Sequence, residues 1–380
     1  MNIAINASLL DSVPTGLGIY TINLLAKLVR LLVKNHEVRI FTSAVSNGSL
    51  FGCPVVKIPS FVQPRFGVTA AMARFAWTQT VLPFASMDCD LLYSTTHHGP
   101  LWHRRPQIIT IHDLLPLHFP AQYRLQHVYF RTVLPRLLKA ATAVVVDSEH
   151  TRGDVHRSYG TPLEKIWVVH CGADHVRPHS AGDVDLTAKY GLRHYILAVG
   201  ASYPHKNVIR ALDAFAVAKR SVPDLQFALI AGPSHYLESA KRYVGDIGLT
   251  DVKFLGYVDH GDLPHLYASA AAFIYPSLYE GFGLPPLEAM LHRCPAIVSR
   301  VSSLPEVCGE AAYYVDPLAV DDMAKAIIAV VGSRALQDEL RLKGVQRAAA
   351  YTWDNAAKQL YSVFEHVACG SPASRQAVVA

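Results

Sequence analysis

Twelve short apolar runs of five to seven residues, with helical patterns between them, constrain the fold of this chain more than any other feature. NIAIN (2–6), EVRIFTS (37–43), PVVKIP (54–59), DLLYST (90–95), QIITIH (107–112), TAVVVDS (142–148) and KIWVVH (165–170) form one series. YILAVG (195–200), FALIAG (227–232), DVKFLGY (251–257), AAFIYPS (271–277) and PAIVS (295–299) form a second. Near-continuous apolar strands alternating with helices belong to parallel sheets covered on both faces. The expected fold class is α/β, with two doubly wound parallel-sheet domains.

At 380 residues the chain exceeds one ordinary core, which also favours two domains. Periodicity lapses around 175–193, where HVRPHSAGDVDLTAKYGLR is polar and carries Pro178 and Gly182, so this stretch reads as a linker. The expected division is 1–180, 181–352, a closing helix over 353–367 and a disordered tail over 368–380.

Although 51% of the residues are hydrophobic, no apolar run reaches the roughly 18–20 residues that span a bilayer. NIAINASLL, directly after Met1, has no basic leader and reads as a first strand, so no secretory signal is expected. Six cysteines without CxxC spacing fit a reducing cytosol. Charge is uneven: residues 1–180 carry 17 Lys and Arg against 10 Asp and Glu, and residues 181–380 carry 18 against 20. A basic half suits nucleic acid, anionic lipid or a phosphorylated substrate. The basic residues are dispersed among apolar ones and no nucleic-acid-binding module is recognisable, so nucleic acid is not expected as a partner.

The stretch richest in chemistry is YPSLYEGFGLPPLEAM (275–290). Gly281 and Gly283 allow a turn with exposed amides, and Pro285 or Pro286 is suited to a first helical position. Free amides at a helix N-terminus attract an anion such as phosphate. Glu280 and Glu288 repel such an anion and suit neutral hydroxyls instead, with Glu288 expected in the first helical turn. The plainer alternative makes Glu288 a helix stabiliser and Glu280 an exposed loop residue.

Three other places carry candidates. Thr15, Gly16, Leu17 and Gly18 form a glycine turn between the first strand and a helix, without the G-x-G-x-x-G of dinucleotide sites. His112 ends a strand, where an imidazole either bonds a hydroxyl, takes a proton, or is satisfied by backbone. Lys206 follows the strand ending at Gly200, as a phosphate clamp or a solvated loop lysine. Two basic segments, 65–83 and 123–141, alternate arginines with Phe75, Trp77, Tyr129 and Phe130, and read as interfacial or as packed helices.

TGLGIY, the strand-end His112, Lys206 and E-GFG-LPPLE together resemble the family-four, or group 1, glycosyltransferases, and the resemblance covers essentially the whole chain. It implies the GT-B fold: two Rossmann-like domains facing across a cleft, with the helix at 353–367 crossing back to the first. It assigns the acceptor to 1–180 and the nucleotide-sugar donor to 181–352. Glu288 would hold the ribose hydroxyls and Glu280 those of the transferred sugar. The amides of Gly281, Phe282 and Gly283, with Leu284 opening the helix, would meet the diphosphate, and Lys206 would neutralise it as it leaves. Leu255 and Tyr257 would flank the base, Gly16 and Gly18 would approach phosphates and acceptor, and His112 would lie near the donor sugar. The arginine the family commonly carries after the strand glycine is absent, because Gly200 is followed by Ala201 and Ser202.

RFAWTQTVLP and THHGPL (96–101) further resemble the mannosyltransferases of bacterial surface polysaccharides. That implies retaining transfer of a hexose from GDP-mannose to a lipid-linked (polyprenyl diphosphate) oligosaccharide, with no metal or other cofactor. A cytoplasmic location follows, peripheral on the anionic inner face of the plasma membrane. A UDP-sugar such as UDP-glucose is the alternative donor, and a noncatalytic sugar-nucleotide-binding scaffold subunit is the alternative of another class.

Overall fold

A computed structural model describes residues 1–11, 16–44, 48–176, 184–259 and 261–369. The chain divides into two units, Met1–Gly172 with the chain from Trp353 onward, and Ala173–Thr352.

The first unit is built on eight strands: β1 (Asn2–Asn6), β2 (Glu37–Thr42), β3 (Ser49–Leu50), β4 (Cys53–Lys57), β5 (Leu91–Ser94), β6 (Gln107–Ile111), β7 (Ala143–Val146) and β8 (Ile166–Val168). Their order is β3-β4-β2-β1-β5-β6-β7-β8, parallel except for the β3–β4 pair. Ile3, Ile5, Leu92, Ile109 and Val144 are wholly buried because helices cover both faces, which is why these strands lack alternation. The helix Gly16–Leu32 buries Leu24, Leu25 and Leu28 and packs against the helix Trp353–Cys369, joined at its edge by a 2.7 Å Lys27–Asp354 ion pair.

The second unit holds β9 (Tyr195–Val199), β10 (Gln226–Ile230), β11 (Val252–Gly256), β12 (Ala272–Tyr275), β13 (Ala296–Ser299) and β14 (Ala312–Val315). All pair in parallel, in the order β11-β10-β9-β12-β13-β14. The direction of strand succession reverses between β9 and β12, so the loops leaving their carboxyl ends lie side by side.

Several expectations are corrected. The unit boundary falls at 172/173 rather than 180/181, since the Ala173 amide already bonds the Tyr351 carbonyl at 2.9 Å within the second unit. Within the expected linker, Leu186–Tyr190 is helical: Asp185 caps the Ala188 amide and Gly191 closes the turn at φ +68°. The closing helix continues to Cys369, so 368 and 369 are helical rather than tail, and 370–380 lie outside the described residues. The two basic segments each break into two helices, 67–80 with 82–85 and 124–132 with 134–140. Pro83 and Pro135 lack the N–H that would continue the preceding helix and sit second in the next one. Strands β3 and β14 escaped the sequence reading because both are short edge strands.

Candidate functional site

In the second unit the site grows from the β9 and β12 loops. Gly200 leaves β9 at φ +80°, its amide bonded to the Ile230 carbonyl at 2.9 Å. A single turn over Pro204–Lys206 ends at Asn207, which is buried in the left-handed region at φ +59°. Its side-chain amide donates to the carbonyls of Pro276 (3.1 Å) and Pro317 (2.6 Å), and the Leu278 amide donates to the His205 carbonyl at 2.8 Å. These bonds fasten the β9 loop to the β12 loop.

Lys206 is thereby held against the second loop. Its Nζ lies 2.6 Å from both the Tyr275 hydroxyl and Glu280 Oε1. Burial raises the Glu280 pKa, but the charge and the hydrogen bond of Lys206 outweigh it, so the carboxyl is held below its usual range and stays ionised. His205, buried beside the ammonium, is pushed down to about 4 and is neutral. An ammonium has three N–H donors, and this geometry spends two.

The turn after Glu280 is fixed by two serines. Ser302 Oγ accepts from the Glu280 amide at 2.9 Å, and Ser303 Oγ lies 3.0 and 2.7 Å from the carbonyls of Glu280 and Phe282. Gly283 caps the helix Leu284–Leu291 at φ +119°, where a Cβ would come within 2.7 Å of Leu304. Leu284, not a proline, takes the first helical position, with Pro285 second. Glu288 consequently lies in the second turn rather than the first, and no acidic residue stabilises the helix start. Its side chain points inward, 7% exposed, with Oε2 accepting from the Tyr267 hydroxyl at 2.9 Å and Oε1 lying 3.2 Å from His175 Nε2. Leu255 lies in β11, and Tyr257 beyond it is 74% exposed, its ring carbon 2.8 Å from where a Cβ on Gly232 would stand.

In the first unit, His112 follows β6 and is 9% exposed. Nδ1 lies 2.7 Å from Asp147 Oδ2 and Nε2 lies 3.0 Å from the Thr95 carbonyl, with the Tyr20 ring edge-on at 4.5 Å. Both partners only accept, so both ring nitrogens donate and the ring is an imidazolium. Burial pulls its pKa down, yet the charge and hydrogen bond of Asp147 outweigh this and the net shift is upward. Gly16 is already the first helical residue and Gly18 is buried in that helix, so the expected turn is not there at 16–18. Residues 12–15 lie outside the described residues.

The structure thus joins Lys206 to Glu280 and sets Glu288 within the same unit, while Gly16, Gly18 and His112 belong to the other. Asp147, His175, Tyr267 and Tyr275 were not picked out from sequence. None was given a role from sequence, although Tyr275 opens the 275–290 stretch, and each meets its partner across at least 20 residues of chain.

Comparisons with known proteins agree along the whole chain. Residues 187–347 match the family described as glycosyl transferases group 1, and residues 14–177 match glycosyltransferase family 4. The O-antigen chain mannosyltransferase RfbU of Salmonella typhimurium (strain LT2) is 31% identical over 365 residues, covering 92% of this chain and 96% of that protein. The O-antigen chain mannosyltransferase B of Escherichia coli is 29% identical over 280 residues, or 71% of this chain and 74% of that protein. Among solved structures, sucrose-phosphate synthase from Thermosynechococcus elongatus superposes with a TM-score of 0.76 at 20% identity, covering 97% of this chain and all of that one, which shows the GT-B fold.

Proposed function

The chain belongs to the family 4 (group 1) glycosyltransferases, whose donors are nucleotide sugars, and from that premise we propose that it moves mannose from GDP-mannose onto a polyprenyl-diphosphate-linked oligosaccharide in bacterial O-antigen or exopolysaccharide synthesis. The names of the two relatives support the sugar and the pathway class. The observation that carries the chemistry is the Lys206–Glu280 pair, its carboxylate buried, beside the Gly281–Gly283 turn.

In this reading the third N–H of Lys206 faces the leaving diphosphate, and Glu280 accepts from hydroxyls of the transferred sugar. The bond from the anomeric carbon to the diphosphate breaks, the acceptor oxygen bonds that carbon on the same face, and the acceptor's proton goes to the departing phosphate oxygen. No carboxylate nucleophile is required, and configuration is retained. Positioning and electrostatics supply the catalysis. His112, with both nitrogens committed, acts as a fixed positive charge rather than as a proton acceptor.

Glu288 is assigned to the ribose hydroxyls. Hydrogen bonds to a charged group contribute about 1.5–3 kcal/mol, so Glu288→Ala is expected to weaken donor binding about tenfold to a hundredfold. Calorimetric titration with GDP-mannose, GDP, UDP-glucose and UDP tests donor class and role together. Tight binding of the GDP series, lost in the variant, is expected. Preference for the UDP series would move the donor to UDP-glucose, undiminished binding by the variant would remove the ribose role, and binding of neither series would favour a scaffold subunit.

A lipid-linked acceptor also calls for contact with a membrane surface. Among the described residues no helix is long and apolar enough to cross a bilayer. In the first unit, Val68, Met72, Phe84, Trp102, Leu125 and Val128 are all more than half exposed, with exposed Arg104, Arg105, Arg124 and Arg131 among them. A 3.1 Å Ser86–His103 bond and a Phe75–Tyr129 ring contact bring their segments side by side. Each basic residue near an anionic surface contributes about 1 kcal/mol. The protein is expected to sediment with phosphatidylglycerol vesicles at low salt and to be released by high salt. Absence from the pellet at low salt would refute surface binding.

A further inference from the structure

We propose that Arg74, His97, His98 and Tyr129 form an anion site in the first unit, built for the phosphoryl group of a phosphate or diphosphate ester. Arg74 lies on the helix Gly67–Thr80 and is 5% exposed. One terminal nitrogen donates to the Val62 carbonyl at 2.6 Å, while Nε is buried with no partner. The charged-type group beside it is a phenol, Tyr129, and no carboxylate among the described residues pairs with it. Burial pulls the guanidinium down to about 10, which leaves it a full cation at neutral pH. A buried cation without a counter-charge costs several kcal/mol, and such a cost is retained where a ligand offsets it.

The surroundings complete a receptor for an anion. The Tyr129 hydroxyl donates to the His97 carbonyl at 2.8 Å, and the His98 ring lies 4.3 Å from that of His97 and 5.9 Å from that of Tyr129. His98 Nδ1 is a second buried polar atom with no partner. Burial, His112 and Arg74 together push His97 down to about 3, and burial, His97 and Arg74 hold His98 well below its ordinary value, so both rings are neutral and add no repulsion between cations. Gln79 fastens the loop to the helix, donating to the Gly99 carbonyl at 3.0 Å and accepting from the Leu101 amide at 2.8 Å. Asn6, at the end of β1, donates to the His98 carbonyl at 2.5 Å. The cluster therefore sits at the carboxyl ends of β1 and β5, where strand succession reverses and open α/β sheets bind ligands. A phosphoryl group supplies the missing charge and has oxygens enough for Arg74 Nε and for His98 Nδ1 in its protonated tautomer.

The site stands on this geometry alone; naming its occupant as the diphosphate of a lipid-linked acceptor rests on the transfer reading above. The test uses the full chain saturated with GDP, so that a diphosphate probe does not enter the donor site, and titrates farnesyl diphosphate, farnesol and inorganic phosphate by calorimetry. Wild type is expected to bind farnesyl diphosphate at least about tenfold more tightly than Arg74→Gln, and to bind farnesol no better than the variant does. Without ligand, Arg74→Met is expected to melt at or above the wild-type Tm, because an uncompensated charge has gone. Competition by inorganic phosphate supports the site as a phosphate receptor, and competition by phosphatidylglycerol but not phosphatidylcholine vesicles supports it with a lipid headgroup as the source. Equal affinities in wild type and a folded Arg74→Gln, or a marked fall in the Tm of Arg74→Met, overturn the proposal. Failure to bind GDP at the outset counts against the donor reading alone.

Discussion

Lys206→Ala is expected to lower kcat by about 10²–10³-fold while changing donor affinity by less than about tenfold, as befits loss of a donor aimed at developing charge. The ammonium sits 2.6 Å from Glu280 and is already neutralised in the resting protein, so its attraction to the ground-state donor is muted. As the sugar–phosphate bond breaks, negative charge gathers on the diphosphate and the remaining N–H gains strength. Single-turnover kinetics beside a donor titration separate the two effects. Equal losses in both would make Lys206 a uniform binder. The variant also strands a buried carboxylate, so its melting curve must be measured and the comparison made below its Tm. Lys206→Arg keeps the charge but not the compact geometry between Tyr275 and Glu280, and is expected to recover only part of the rate.

Asp147→Asn is expected to cost about 3–5 kcal/mol of stability at pH 6, the usual penalty for removing one member of a buried ion pair. The remaining amide cannot balance the imidazolium, whose Nε2 is still committed to the Thr95 carbonyl. The sign of the pH dependence follows from the raised His112 pKa. Between the unfolded value near 6.5 and the higher folded value, the native state binds the extra proton, so stability falls as pH rises through that window. Below it the contribution is fully present. Cys171 and Tyr20, which flank Asp147, are both pushed upward, chiefly by burial, with the Asp147 charge adding to it and Tyr93 contributing ahead of Asp147 at Tyr20, so neither titrates across the same range. Urea melts from pH 5.5 to 9 on both proteins are expected to converge with rising pH. Parallel curves would mean that His112 is not charged in the native state.

The core of the fold was legible because buried parallel strands need little beyond apolar runs of the right length. NIAIN at 2–6 coincides with β1, and the remaining eleven runs each overlap a strand to within a few residues. β14 was missed because an edge strand packs on one side, leaving Tyr313 and Tyr314 only half-buried. The helix at 284–291 was legible from its glycine and prolines, but its register was not. An error of one or two positions moved Glu288 from the first turn to the second, because Gly283 is the cap and Leu284 rather than a proline opens the helix.

The site divides along the same line. Glu280, Lys206, His112 and Glu288 stand out in sequence because charged residues at strand ends and glycine turns have no reason to be in a core. What each of them does was not legible, since that depends on partners brought from elsewhere: Tyr275 and Glu280 for Lys206, Asp147 and Thr95 for His112, Tyr267 and His175 for Glu288. For His112 the sequence left a hydroxyl, a proton and the backbone open as partners, and its ring meets both the Thr95 carbonyl and the Asp147 carboxylate. Arg74 looked like one arginine of a basic helix and is instead buried, with no carboxylate paired to it among the described residues.

Sequence by itself determined the two parallel sheets, the glycine turn that opens the 284–291 helix, and the family, because periodicity and turn chemistry are local properties of a chain. Tertiary structure alone decided which side chains are charged, which nitrogens remain free and which cation is left uncompensated. Those depend on desolvation and on neighbours from distant loops, and the Coulomb interaction acts through space rather than along the backbone.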